Sequence, residues 1–171
     1  GGYLSMLAAC AAPEMARGVV LLDSPLLGGW RAHSVQVAKA TRLIGRVSPG
    51  KVSKSRRDRW PSAEAALAHF AAKHAFARWD PRVLADYIAC GTEPAPEGGV
   101  RLAFRREVET QLYNTLPHHL DRVVRRHPPQ GPVAFIGGTQ SAEVRQVGLP
   151  FTRAVVRGRL HWIEGSHLYP M

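Results

Sequence analysis

The chain has 171 residues, of which 45% are hydrophobic and 21% are charged, and its formal net charge is +10. A chain of this length and apolar content can bury a real hydrophobic core, which excludes a disordered polypeptide. Its apolar stretches all fall short of the ~20 residues that cross a bilayer, so the sequence predicts no membrane span. The composition indicates one folded domain, or the larger part of a bigger one.

Arginine carries most of the positive charge, and one dense basic run extends from Lys51 to Arg59. A strongly basic balance can indicate a nucleic-acid partner. Here no aromatic-rich or helix-turn-helix module accompanies the charge, which favours a solvated, arginine-rich surface. We therefore expect no nucleic acid as partner, and a basic nucleic-acid-binding module is kept as the non-enzymatic alternative.

Two cysteines, Cys10 and Cys90, make neither a disulfide framework nor a CxxC motif. Both lie among apolar residues, so we predict buried free thiols and a cytoplasmic location, where thiols stay reduced. His69 and His74 are five residues apart and do not share a helix face, and His118-His119 lacks a pattern of partner ligands. The sequence predicts no metal and no organic cofactor.

The first elements are a helix and a strand. Residues 3–12 are small and apolar all round, which predicts a buried helix that Pro13 ends. Residues 18–23, Gly-Val-Val-Leu-Leu-Asp, form a short continuous apolar run followed by turn residues. This pattern is typical of a strand buried on both faces of a parallel sheet.

Helical patterns dominate the middle of the chain. They predict helices over 35–44, over 62–79 with Ser62 as N-cap, over 81–90 after Asp80-Pro81, over 106–114 and over 118–127. Residues 90–99 have the composition of a loop, and 100–104 alternate as a short strand does. The rest of the chain predicts a strand over 132–138, a helix over 149–156 and a strand over 159–163. The order predicts α/β architecture, with parallel strands and a helical insertion between two of them.

Three motifs, taken in this order, resemble the α/β-hydrolase superfamily. They are Gly1-Gly2-Tyr3-Leu4-Ser5-Met6, then Val19 to Pro25, and finally Glu164-Gly165-Ser166-His167-Leu168-Tyr169-Pro170. The resemblance covers the whole chain. It implies a partial α/β-hydrolase fold with mostly parallel strands, whose core comprises residues 1–29 and 128–171. Residues 30–127 would form a helical cap or lid.

The resemblance identifies Gly1 as the closing glycine of the family's Gly-x-Ser-x-Gly elbow, so the nucleophile would lie two residues before Gly1. No Gly-x-Ser-x-Gly occurs within the 171 residues. The resemblance implies that this chain is part of a longer protein, the parent protein, which hydrolyses an ester or related acyl bond through a serine. The 171-residue chain alone should be inert.

His167 occupies the family's position for the general base, on the loop after the last strand. The usual position for the acid reads Gly138-Thr139-Gln140-Ser141, with serine in place of aspartate. Glu143 lies two residues further on, and Asp23 occupies the alternative acid position that some members use. The sequence supports Asp23 and Glu143 almost equally as the acid that orients His167.

Aromatic residues of the predicted cap suggest a small, moderately hydrophobic substrate; they are Trp30, Phe70, Phe76, Trp79, Tyr87 and Tyr113. The family also includes C–C hydrolases, epoxide hydrolases and haloalkane dehalogenases, which are the alternative chemistries. An aspartate nucleophile would indicate one of the last two.

Overall fold

A computed structural model of the chain describes residues 1–29, 32–34, 50–115 and 119–171. The chain divides into two compact units, one of residues 1–42 and 117–170, and one of residues 43–116 with Met171. The predicted helix over 35–44, together with Trp30 and His118, lies outside the described residues. The division into a core and a cap stays a prediction.

The helices and strands are numbered here in chain order, and a short 3₁₀ helix (Pro13–Met15) follows the first helix. They are α1 (Gly2–Ala11), β1 (Val19–Leu22), α2 (Gly50–Ser55), β2 (Arg59–Trp60), α3 (Ala63–Ala71), α4 (Pro81–Gly91), β3 (Thr92–Pro94), β4 (Val100–Leu102), α5 (Arg106–Asn114), α6 (Leu120–Arg126), β5 (Val133–Gly138), α7 (Ala142–Val147), α8 (Pro150–Val156) and β6 (Leu160–Ile163).

A parallel sheet of order β1-β5-β6 forms the centre of the first unit. Val19 pairs with Val133 across the first strand pair, and Phe135 pairs with Leu160 across the second. The parallel arrangement confirms the predicted α/β class. It also brings the carboxyl ends of all three strands to one edge of the sheet, which is where ligands bind in such sheets.

The core of this unit lies where α1, α6, α7 and α8 pack against the sheet, around the fully buried Phe135 and Met6. β1 is buried on one face only, because Val20 and Leu22 are 59% and 50% exposed. The prediction of a strand buried on both faces was therefore wrong for the described residues. No described element covers this second face.

Local sequence signals, such as capping residues and prolines, predicted most helix boundaries correctly. Asp80 caps α4 by accepting a hydrogen bond from the backbone of Arg82, and Ser62 caps α3, as predicted. The segment predicted as helix to Trp79 ends earlier, at Ala71, and continues as turns. The elements α2, β2, β3 and α7 were not predicted from the sequence, and all four are short.

The second unit contains a small antiparallel sheet of order β2-β4-β3 beside its helices. Its core is aromatic: Trp60 is 2% exposed and Phe70 is 5% exposed, and Phe76, Trp79 and Tyr87 pack against them. Ring contacts link Phe70 to both Phe76 and Tyr87. Most of the side chains predicted to line a pocket thus build the interior of their own unit.

The two cysteines differ in environment. Cys10 is buried and its thiol pKa is raised by that burial, whereas Cys90 is exposed, so the prediction of two buried thiols was wrong for Cys90. Cys90 lies on α4, whose buried face presents Leu84 and Ile88 instead. In the part of the chain that the structure describes, no helix is long and apolar enough to cross a membrane.

Candidate active site

Asp23 is the first residue after β1, at the carboxyl edge of the parallel sheet. Its backbone amide donates to the carbonyl oxygen of Ile136 over 2.8 Å, which extends the strand pairing by one residue. Its φ is +43°, a left-handed conformation that aspartate adopts more readily than most residues. The backbone therefore turns at Asp23 and holds its side chain at the strand ends.

The carboxylate of Asp23 is buried and fully hydrogen-bonded. The residue is 1% exposed, its Oδ1 accepts from the backbone N–H of Gly138 over 2.6 Å, and its Oδ2 accepts from the Ser141 hydroxyl over 2.5 Å. A buried charge is tolerated when such donors replace the lost water. These bonds fix both carboxylate oxygens in space.

His167 completes the arrangement from the loop after β6. Its Nδ1 lies 2.7 Å from Oδ2 of Asp23, and 42% of its side chain is exposed. An ionised carboxylate can only accept, so a neutral imidazole in this contact carries its proton on Nδ1. The lone pair on Nε2 is then available to take a proton from another group.

Backbone contacts hold the loop that carries His167 against the end of β5. The amide of Gln140 donates to the carbonyl of Gly165 over 2.8 Å, and the Tyr169 hydroxyl donates to the carbonyl of Ile136 over 2.9 Å. Burial, and secondarily the negative charge of Asp23, raise the pKa of the Tyr169 phenol. The phenol therefore stays protonated as a donor.

Glu143 lies near the pair but outside direct contact. Its Oε2 is 3.9 Å from Nδ1 of His167 and 3.4 Å from the Ser141 hydroxyl, and 47% of its side chain is exposed. The structure thus brings all three predicted residues together, and it is Asp23 that contacts the imidazole. At 3.9 Å, the half-exposed carboxylate of Glu143 adds negative charge near the ring but makes no hydrogen bond to it.

Ser141 also belongs to the site, although its sequence pattern predicted no role there. Its Oγ accepts from the backbone of Val144, which makes it the N-cap of α7, while its proton goes to Asp23. A serine followed within three residues by an acidic residue, before a helical stretch, is an N-cap signal. That signal was present in Ser141-Ala142-Glu143-Val144, and it predicts the cap but not the bond to Asp23.

Asp23, Glu143 and His167 could also offer donors to a metal ion. One ligand atom from each lies within 4.8 Å of the others, and imidazole nitrogen with carboxylate oxygens is a set that zinc accepts. Such an ion would have to displace the Nδ1 proton that links His167 to Asp23. Hydrolysis through His167 and binding of a metal at these three atoms therefore exclude one another.

No family model matches the chain, and no curated protein matches it. Solved structures do. E-2-(acetamidomethylene)succinate hydrolase is 18% identical over 96% of this chain and 55% of its own, with a TM-score of 0.67. The peroxisomal alpha-beta-hydrolase Lpx1 of Saccharomyces cerevisiae is 16% identical over 100% of this chain and 46% of its own, with a TM-score of 0.65. An esterase of M. tuberculosis is 19% identical over 98% and 53%, with a TM-score of 0.61.

These likenesses show that the chain has part of the α/β-hydrolase fold, as the resemblance in the sequence implied. The chain spans about half the length of the solved structures it matches. The three hydrolases are each less than 20% identical to this chain, so what they have in common with it is the fold.

Proposed function

We propose that this chain supplies the general-base side of a hydrolytic site, in a protein that cleaves an ester or related acyl bond. The contact between His167 Nδ1 and Asp23 Oδ2 at 2.7 Å carries the proposal. A buried carboxylate that orients a half-exposed imidazole is the arrangement that activates a hydroxyl nucleophile. The hydrolases and esterases among the structural neighbours support this reaction class.

In the proposed mechanism, Nε2 of His167 takes the proton of a serine hydroxyl as its oxygen attacks the substrate carbonyl. Asp23 stabilises the imidazolium that forms and keeps its own negative charge. The imidazolium then gives the proton to the leaving group, and an acyl-enzyme remains. A water molecule, deprotonated by the same nitrogen, releases the acid and restores the serine.

The nucleophile would come from residues preceding Gly1. Support comes from the start of α1, which lies against the turn after β1: a Cβ on Gly2 would be 2.6 Å from Cβ of Ser24, the neighbour of Asp23. A chain entering α1 therefore arrives at the same sheet edge as the carboxylate. A serine two residues earlier would face the imidazole from that edge.

The free edge of β1 supports the same proposal. Among the residues that the structure describes, β1 pairs with β5 on one side and with no strand on the other, and Val20 and Leu22 on its exposed face are apolar. Monomeric folded proteins rarely leave such an apolar strand uncovered at a sheet edge. A further parallel strand leading into the elbow would pair with this edge.

We propose that the second unit is the helical cap insertion of the family, and that the substrate is small and moderately hydrophobic. The support is its position in the chain, between β1 and β5, whose ends carry the site. Because Phe70, Phe76 and Trp79 pack its own core, they give no direct evidence on substrate shape. C–C, epoxide and haloalkane hydrolysis stay as alternatives, since the nucleophile distinguishes them.

The test is fluorophosphonate labelling of the protein extended by the residues that precede Gly1 in its gene. We expect a label on a serine two residues before Gly1. His167→Ala and Asp23→Asn should slow labelling by at least about a hundredfold, whereas Glu143→Gln should label within about twofold of the wild type. The 171-residue chain alone should neither label nor turn over an activated ester.

A folded extended protein that carries aspartate at that position, or that resists the label, would contradict the serine mechanism. Turnover by the 171-residue chain that survives His167→Ala would contradict the role of His167.

A further inference from the structure

A surface groove of about 720 Å³ lies in the first unit, at the opposite end of the sheet from His167. The loop before β5, the C-terminal end of α6 and one side of α8 line it. Its principal side chains are Arg125, Pro129, Phe151, Val155, Arg157 and Arg159. The six residues of β5 separate the groove from the carboxyl edge by roughly 20 Å. The groove is therefore distinct from the proposed hydrolytic site.

The groove is positively charged and no carboxylate neutralises it. Arg125, Arg157 and Arg159 are exposed, and none has a carboxylate within 4.0 Å among the described residues. All the acidic residues of the sequence fall within the described ranges, so none from elsewhere in the chain can supply the missing charge.

The second unit gives an internal comparison. Six of its arginines each have a carboxylate within 4.0 Å, namely Arg56, Arg59, Arg82, Arg101, Arg105 and Arg106. The three arginines that line the groove differ from these six in having no carboxylate partner among the described residues. Charge that the fold itself leaves uncompensated raises the local concentration of anions.

Arg157 occupies a backbone position that suits glycine better. It ends α8 with φ +49° and ψ +51°, in the left-handed region that is unfavourable for a non-glycine residue. The side chain at this position lines the groove. Strained backbone positions of this kind cluster at ligand-binding sites.

Apolar surface forms the other wall. The guanidinium of Arg125 lies 5.8 Å from the ring centroid of Phe151, and that ring packs against the core. Val155 and Pro129 extend the apolar wall along the groove. A cationic end beside an apolar wall fits a ligand that has both kinds of surface.

From this geometry we infer that the groove binds a small organic anion with an apolar tail, and that its phosphate or carboxylate head is held by Arg157 and Arg159. The apolar part lies along Phe151 and Val155. The inference concerns a second site and does not depend on the proposed hydrolysis. Guanidinium groups hold such heads through paired, charge-assisted hydrogen bonds.

The test is calorimetric titration of the 171-residue chain with octyl phosphate below its micellar concentration. Inorganic phosphate and 1-octanol are the controls, because the first has only the anionic head of the probe and the second has only its apolar chain. We expect octyl phosphate to bind at least about tenfold more tightly than either control. Arg159→Gln and Arg157→Gly should each weaken binding by about three- to tenfold. Since glycine suits the backbone at 157, the urea midpoint of Arg157→Gly should not fall.

Arg153→Gln is the matched control, because Arg153 is an exposed arginine on the same helix that does not line the groove. It should leave octyl phosphate binding within about twofold of the wild type. If Arg153→Gln weakened octyl phosphate binding as much as the groove variants do, the binding would be due to general surface charge. The same conclusion would follow if inorganic phosphate bound as tightly as octyl phosphate. A single-stranded oligonucleotide that binds more tightly and is lost with Arg157 and Arg159 would assign the groove to nucleic acid. Either result, or no binding of octyl phosphate, overturns the inference.

Discussion

Ser141 donates its hydroxyl proton to Oδ2 of Asp23 over 2.5 Å, the same oxygen that faces Nδ1 of His167. The serine stands where the α/β-hydrolase pattern has an acid, and the carboxylate that accepts its proton lies at the end of β1. One hydrogen bond thus joins Ser141, at the family's usual acid position, to Asp23, at its alternative acid position. We regard Ser141 as a positioning residue, since it restricts the carboxylate that in turn orients the imidazole.

We predict that Ser141→Ala lowers the free energy of unfolding by about 1–3 kcal/mol, because it leaves a buried carboxylate one donor short. Combined with Asp23→Asn in a double-mutant cycle, the coupling energy should be about 0.5–3 kcal/mol. Urea unfolding measures both quantities.

The control for this cycle is Ser62→Ala, which removes an N-cap bond from Ala65 and a bond to the exposed carboxylate of Glu64, but no bond to a buried carboxylate. It should cost about 1 kcal/mol. A loss at Ser141 no larger than at Ser62, with no coupling to Asp23, would show that Ser141 acts only as a helix cap.

The identity of the carboxylate that orients His167 can be read from the tautomer of its ring. We expect the neutral imidazole to carry its proton on Nδ1 in the wild type, and to lose this preference in Asp23→Asn. Glu143→Gln should keep the wild-type tautomer, because Glu143 lies 3.9 Å from Nδ1. Ring ¹⁵N chemical shifts report the tautomer directly. Loss of the preference in Glu143→Gln but not in Asp23→Asn would make Glu143 the orienting acid.

Gly138 is required by the close approach of the loop that carries His167. A Cβ at this position would lie 2.7 Å from the carbonyl oxygen of Gly165 and would also meet the carbonyl of Ser166. Backbone atoms cannot move aside cheaply, so Gly138→Ala should destabilise the chain by about 2 kcal/mol or more and displace His167. Urea unfolding and the His167 ring resonances measure the two effects.

Gly158→Ala is the comparison for Gly138→Ala. Its φ is +89° but nothing lies within 4 Å of its Cβ position, so only backbone strain of about 1 kcal/mol applies. Equal losses at the two glycines would contradict the steric argument.

Stability at high pH should depend on Tyr3. Burial raises the pKa of its phenol from 10.0 to about 12, although the N–H of Leu27 that it accepts opposes the shift. The folded chain therefore binds this proton more tightly than the unfolded chain. The resulting stability is complete below pH 10 and is lost as pH rises to about 12. The stability difference between wild type and Tyr3→Phe should be constant below pH 10 and shift against the wild type from pH 10 to 12. A constant difference up to pH 12 would contradict the raised pKa.

The sequence predicted those parts of the fold whose signals are local. Pro13 follows the end of one helix, Pro81 begins another, and Ser62 caps a third. The apolar runs that lead to Asp23 and to Gly138 predict the parallel strands. It missed α7, because six residues are too few to establish a helical period. It also predicted that both faces of β1 are covered, although burial depends on what packs against a strand and not on its own residues.

The sequence by itself determined the order of elements, the α/β class, and the placement of Asp23 and His167 at strand ends, since each follows a short apolar run. Only the tertiary structure showed which candidate carboxylate contacts His167. Asp23 is 144 residues from His167 and Glu143 is much closer along the chain, yet Asp23 makes the contact. Parallel pairing of β1 with β5 brings these strand ends together, and no local pattern encodes that distance.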